Sequence, residues 1–201
     1  MAIKCVFFDC DEVIRTWEHE FDGLSAYSGI PLDAFVEITF DPSRYEAAIR
    51  GDESAESWWN EVSRVLGERF PTRSVEHAMQ YWSTRNGELI PGVLELVQDC
   101  KRNASVVLFS NATSRLNQEV KSLGIDGLFD HIVNTSEVGS IKPEPEIYSY
   151  ALELGGIEAE EAFFTDDNPE FIEPAVNLGW SAHVFDGVPG LRASLIDAGV
   201  L

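Results

Sequence analysis

Asp9 and Asp11 stand at the end of one apolar run, Ile3-Lys4-Cys5-Val6-Phe7-Phe8, and a second acid pair, Asp166-Asp167, closes another, Ala162-Phe163-Phe164-Thr165. Carboxylates held close together raise each other's pKa unless a cation sits between them. Oxygen donors of this kind suit a hard divalent metal. Two more chemically able pairs follow apolar or turn-rich segments: Ser110-Asn111, after Ser105-Val106-Val107-Leu108-Phe109, and Lys142-Pro143. Two acid pairs at strand ends in so small a chain suggest a hard-metal site, and the four elements can converge on one point. Each pair also has a purely structural account. Asp and Ser-Asn cap helices or make turns, and Lys-Pro reads as a solvated turn. Only their joint order along the chain argues for a site.

The elements that would position them alternate. Short runs rich in Val, Ile and Phe read as strands buried on both faces, the pattern of a parallel sheet. From about residue 89 onward strand-like and helix-like segments follow one another. A helix opens at Pro91-Gly92 and runs through Lys101, and the Ser105–Phe109 strand follows. A helix from Ser114 ends at Leu123-Gly124, and His131–Val133 is a short strand before a turn-rich Glu137–Lys142. A helix from Pro143 ends at Gly155-Gly156. The Ala162–Thr165 strand leads to a helix ending near Gly179, then a strand at Ala182–Phe185 and a C-terminal helix. This rhythm predicts an α/β fold, a Rossmann-like doubly wound parallel sheet. In such sheets ligands bind beyond the carboxyl ends of the strands.

Residues 16–88 break the rhythm. They read as helical over Leu32–Phe40, Arg44–Arg50, Ser54–Leu66 and Ser74–Arg85, with Pro31, Pro42, Gly51 and Pro71 between. Trp58, Trp59, Tyr81 and Trp82 would form the segment's small core. The expected division is therefore a discontinuous core of residues 1–15 and 89–201, with an inserted small α-helical cap of residues 16–88. Of the cap residues, Trp17 and His19 follow the first acid pair closely enough to overhang it. Arg44 and Arg50 are candidates for a distal anionic group.

Composition narrows the function further. A formal charge of −21 over 201 residues disfavours nucleic-acid backbones and anionic membranes as partners. It also means that a phosphorylated substrate must be drawn in by local cations. Three cysteines, Cys5, Cys10 and Cys100, lack metal spacing and suggest a reducing compartment. With neither a signal peptide nor a spanning stretch in this sequence, the cytoplasm is expected. The quaternary state reads as monomer or homodimer.

The four elements resemble the motifs of the haloacid dehalogenase-like hydrolase superfamily. Phe7-Phe8-Asp9-Cys10-Asp11-Glu12-Val13 is similar to its first motif and Leu108-Phe109-Ser110-Asn111 to its second. Lys142-Pro143-Glu144-Pro145-Glu146-Ile147-Tyr148 is similar to the third, and Phe163-Phe164-Thr165-Asp166-Asp167-Asn168 to the fourth. The run from Asp166 to Ala175, with Asn177-Leu178-Gly179-Trp180, looks most like bacterial small-cap sugar-phosphate phosphatases of the α-glucose-1-phosphatase type. The resemblance implies a Mg²⁺-dependent phosphatase acting on a small phosphorylated metabolite through an aspartyl-phosphate. It makes Asp9 the nucleophile and Asp11 the general acid and base. It gives Mg²⁺ to Asp9, the Asp11 carbonyl, Asp167 and Asp166, the last directly or through water. The phosphoryl oxygens fall to Ser110, the Asn111 backbone and Lys142. One position departs from the pattern: Glu12 stands where the family carries glycine, in a turn that glycine eases.

Three alternatives remain open on the sequence. A dehalogenase of the superfamily would leave Asp11 and Asp166-Asp167 unexplained. A phosphomutase keeps all four motifs. A catalytically weakened phosphate-binding or regulatory protein would give Glu12 a reason.

Overall fold

The computed structural model describes residues 2–201. Its strands are β1 (Cys5–Phe8), β2 (Arg15–Thr16), β3 (Glu88–Leu89), β4 (Ser105–Ser110), β5 (His131–Asn134), β6 (Ala162–Asp166) and β7 (Ser181–Val184). Five of them build a parallel sheet in the order β5-β4-β1-β6-β7. β1 lies in the middle because its four residues are fully buried on both sides. Side chains alternate across a strand, and here the two sets enter different cores. Val6 and Phe8 pack with Leu96, Leu116, Leu191 and Leu195 on one face. Cys5 and Phe7 pack with Tyr148, Ala151, Phe164 and Trp180 on the other. Helices therefore cover both faces, the doubly wound arrangement that the sequence predicts.

Register brings the strand ends level. Phe8 pairs with Leu108 of β4 and with Thr165 of β6, and the Asp9 N–H donates to the Thr165 carbonyl at 2.9 Å. Asp9, Ser110 and Asp166 therefore leave the sheet at the same edge.

The segment after β1 is helical, as expected, with helices at Leu32–Thr39, Pro42–Arg50, Ala55–Arg69 and Thr72–Ser83. They share a core of their own in which Phe35, Trp58, Val62, Leu66 and Trp82 are buried. Two features of this segment carry no legible sequence signal: a short helix at Leu24–Ser28, and the β2–β3 antiparallel ladder that pairs Thr16 with Glu88 and draws its ends together. Pro42, read as punctuation, is instead the first residue of its helix, where its missing N–H is harmless. Asp41 caps that helix from Ser43 N, and Ser54 caps the next from Ser57 N.

Elsewhere the boundaries shift. Glu137 and Val138 belong to a short Thr135–Val138 helix, capped by Asn134 and stopped at Gly139. Lys142 thus sits on a loop after that helix and not at a strand end. Pro143 precedes the next helix, which begins at Pro145 after a turn in which Glu144 N donates to Ile141 O at 2.8 Å. The helix expected from Ser114 starts two residues later, at Leu116, and runs to Ser122.

The helical segment is tied to the sheet at a few places. Thr135 Oγ1 donates to Ile49 O at 2.8 Å. Arg50 forks onto Glu144 at 2.5 and 3.1 Å. Between them Gly51 holds φ +79°, and a Cβ there would meet Ser136 O at 2.0 Å. Left-handed strain and a backbone clash add in Gly51→Ala, which should lose at least about 2 kcal/mol. Urea unfolding reads the loss; an unchanged midpoint would mean that the junction yields freely.

Candidate active site

Lys142 is the centre of the site. Its side chain is 1% exposed, and its Nζ donates to Asp9 Oδ1 at 2.7 Å, Asp166 Oδ2 at 2.5 Å and Phe109 O at 3.2 Å. The faces of Phe109, Phe164 and Phe171 surround the ammonium at 5.0–5.3 Å. Burial by itself would neutralise a lysine, but two adjacent carboxylates outweigh it and push the Lys142 pKa up. Asn111 fixes the main chain that carries this residue. Its Oδ1 accepts from Lys142 N at 2.8 Å and its Nδ2 donates to Lys142 O at 2.9 Å.

The negative side is in excess. Asp9, Asp166 and Asp167 each bring a carboxylate oxygen within 4.8 Å of the others, against the one ammonium. Burial pushes the Asp9 carboxyl up to about 8; Lys142 pulls against this, while Asp166 and Asp11 add to it. Asp167, exposed at the rim, is also raised, by partial burial and by Asp166. Oxygen donors with unneutralised charge fit a hard divalent cation such as Mg²⁺. Asp166 is the most occupied of the three, because its Oδ1 also accepts from Asn168 N at 2.9 Å.

Asp11 faces the other way, into a cavity. Its Oδ1 accepts from Arg15 Nε at 2.7 Å and from Trp17 Nε1 at 2.7 Å. Arg15 is buried and also reaches Asn86 O and Glu119 Oε2, both at 2.9 Å. Glu12 adopts φ +60° and accepts from Thr16 Oγ1 at 2.9 Å and from the Trp17 N–H at 3.0 Å. A side chain that glycine would lack thus pins the loop that holds Trp17.

Ser110 ends β4, buried next to the Phe109 carbonyl that Lys142 touches. Of the other sequence candidates, Trp17 reaches the site and lines the cavity. His19 is exposed and pairs with Asp22. Arg50 is engaged by Glu144 and Glu46, and Arg44 by Asp41, so both belong to local ion pairs. Arg15, Glu119, Tyr45 and Arg115 went unnoticed in the sequence. Arg15 had a signal: an arginine directly after the apolar Val13-Ile14 pair, four residues from Asp11.

The cavity, about 320 Å³, opens between the helical segment and the sheet edge. Its walls run from Asp11 and Arg15 to Tyr45, Trp59 and Arg115.

Comparisons with known proteins bear on the family and the fold. Residues 3–179 match the family described as haloacid dehalogenase-like hydrolase. Pyrimidine 5'-nucleotidase YjjG of Escherichia coli is 35% identical over 171 residues, 75% of this chain and 71% of that protein. An uncharacterized hydrolase of Schizosaccharomyces pombe is 29% identical over 143 residues, 64% of this chain but only 61% of its own length. Among solved structures, a HAD family enzyme of Bacteroides thetaiotaomicron in complex with magnesium and inorganic phosphate superposes with a TM-score of 0.70 at 20% identity, covering 90% of this chain and 93% of that one. L-2-haloacid dehalogenase of Xanthobacter autotrophicus superposes nearly as well, with a TM-score of 0.68 at 16% identity, covering 99% and 84%.

Two outcomes follow from the charge balance. Lys142→Met leaves Asp9 and Asp166 buried without a counter-charge and should cost about 3–5 kcal/mol in metal-free urea unfolding; a loss below about 1 kcal/mol would contradict the triad. The unfolded chain releases the Asp9 proton near the ordinary carboxylate pKa, the folded chain only near 8. Metal-free stability therefore falls as pH rises between those values. A cation that needs the ionised carboxylate offsets that loss, so the Mg²⁺-induced rise in Tm should grow from about pH 5 to about pH 8. A rise independent of pH would show that Asp9 is not a ligand.

Proposed function

The chain belongs to the haloacid dehalogenase-like hydrolase family, and from that premise we propose that it is a Mg²⁺-dependent phosphatase of small phosphomonoesters. The observation that carries the reading is the buried Lys142 ammonium held between Asp9 and Asp166, with Asp11 two residues further on at the mouth of a cavity. A dehalogenase has no use for Asp11 or for the acidic group around Asp9, and this supports phosphoryl transfer over halide displacement.

In this reading the Asp9 carboxylate attacks phosphorus, forming an aspartyl phosphate as the ester P–O bond breaks. Lys142 orients the attacking oxygen, and together with a bound cation it would favour the ionised form against burial. Asp11 gives its proton to the departing alkoxide and then takes one from the water that hydrolyses the acyl phosphate, returning Asp9 as a free carboxylate with release of inorganic phosphate. Arg15 and Trp17 both donate to Asp11 Oδ1, which leaves Oδ2 to carry the proton. Ser110 and the Asn111 backbone would hold the phosphoryl oxygens. Asp9, Asp167 and the Asp11 carbonyl would hold Mg²⁺, with Asp166 close by, and the ion would supply charge neutralisation for the phosphoryl group.

Asp9→Asn should lower phosphate release by at least about 10³-fold. Asp11→Asn should lower kcat by about 10²–10⁴-fold while the Mg²⁺-induced rise in Tm persists, since its metal contact is the backbone. Phosphate release from a panel of monoesters, with Mg²⁺ and with chelator, reads both variants. Full activity in Asp9→Asn, or turnover indifferent to chelator, would refute the assignment.

A further inference from the structure

The cavity beside Asp11 has a wall chemistry of its own. Trp17 stacks on Phe21 with centroids 5.7 Å apart and planes 15° apart. Trp59 stacks on Trp82 at 4.8 Å and 28°, and the Arg115 guanidinium lies 4.0 Å over the Trp59 ring. All of these residues line the space. Trp82 is fully part of the helical core, whereas Trp17, Phe21, Tyr45 and Trp59 are only half-buried and Phe40 is 39% exposed. An aromatic cluster serving packing alone would close on itself. This one leaves room for a ligand at the small end of the usual range of about 300–1,000 Å³.

The charged groups on the wall are already committed. Arg15 binds Asp11, Glu119 and Asn86 O. Glu12 binds Thr16 and Trp17. Glu119 takes Arg15 and Arg115. The Tyr45 hydroxyl, able to donate or accept, also lines the space, and the Trp59 Nε1 is buried without a hydrogen-bond partner. A polyhydroxylated sugar would lose water from each hydroxyl and find few partners, at about 1–3 kcal/mol for every group left unmatched. A flat ring with acceptor atoms meets half-buried aromatic surface, the Arg115 guanidinium and the Tyr45 hydroxyl instead.

We propose that this cavity is the leaving-group subsite and that the preferred substrates are phosphomonoesters whose alcohol carries a planar aromatic ring with carbonyl or ring-nitrogen acceptors. The inference rests on the phosphatase reading, because Asp11, the proton donor to the leaving oxygen, forms the inner wall. It departs from the sugar-phosphate preference that the sequence resemblance suggests.

Mg²⁺-dependent kcat/KM is to be measured for uridine 5'-monophosphate, phenyl phosphate, glucose 6-phosphate and glycerol 3-phosphate. The ring-bearing esters should exceed glucose 6-phosphate by at least about tenfold, which is about 1.4 kcal/mol. Uridine 5'-monophosphate above phenyl phosphate points to a nucleobase reached through a spacer; the reverse order points to a ring bonded directly to the ester oxygen. Either order supports the subsite. Trp59→Leu and the solvent-facing Phe40→Ala should each lower the ratio of ring-bearing to glycerol ester turnover, the former about tenfold. Hydrolysis that favours glucose 6-phosphate overturns the subsite and leaves the phosphatase reading standing. If no ester is hydrolysed the phosphatase reading fails, and calorimetric titration with uridine 5'-monophosphate then decides the cavity. Binding that weakens in both variants upholds a ring site, and absence of binding removes it.

Discussion

One buried ammonium sets the terms for everything around it. Lys142 lies under the carboxyl edge of the sheet, bonded to Asp9 and Asp166, with three phenyl rings around it. Two buried acids at the ends of β1 and β6 would repel each other in a low dielectric. The lysine turns that repulsion into a reason for the strand ends to meet. Its own backbone is bracketed by Asn111 at the end of β4, so β1, β4 and β6 are all tied to a single residue from a distant loop. The ion pair is thus a register device as well as a charge device. With Asp167 included it still leaves negative charge over, and that surplus suits the place to a hard cation.

The outer electrostatics follow a different logic. With a net charge of −21 the chain repels anions at long range, so any attraction for a phosphoryl group is confined to distances shorter than the screening length. Of the cations near the site, Arg15 is buried and saturated by Asp11, Asn86 and Glu119. Arg50 is consumed by Glu144, whose carboxyl it holds down to about 2. These arginines secure architecture: Arg15 orients the acid at the cavity wall, and Arg50 clasps the helical segment to the loop that carries Lys142. In the proposed phosphatase, charge selection then falls to Lys142 and to the divalent ion that the neighbouring acids would hold, deep in the edge of the sheet.

What could be read in the sequence was what buried strands enforce. A strand inside a parallel sheet must be apolar on both faces, so the first polar residues after Phe8, Phe109 and Thr165 stood out, and all mark the sheet edge. The helices at 32–39 and 55–69 were legible from proline and cap residues. Interactions between residues far apart in sequence were less visible. The β2–β3 ladder has two residues per strand and no period to detect. Lys142 was recognised as chemically able, but its position on a loop after a short helix depends on Asn134 and Gly139, which read equally well as turn residues. Arg15 offered only its spacing from Asp11, because its other two partners, Asn86 and Glu119, lie far away in sequence. The wall of the cavity was hidden for the same reason, since Tyr45, Trp59 and Arg115 meet only when the helical segment folds over the sheet.

Glu12 shows how one departure from a pattern can be absorbed. A non-glycine residue at φ +60° costs about 1–2 kcal/mol in backbone strain. The side chain offsets part of this by accepting from Thr16 and from the Trp17 backbone, each bond contributing about 0.5–1.5 kcal/mol. Glycine could relax the turn but could not hold Trp17. That indole donates to Asp11 and also forms one stacking face of the cavity. The same contact that makes Glu12 tolerable therefore links the orientation of the acid to the shape of the space it faces. Strain stored in the turn at residue 12 is set against order in the wall at residue 17, so the turn keeps its shape with glutamate where the family pattern has glycine.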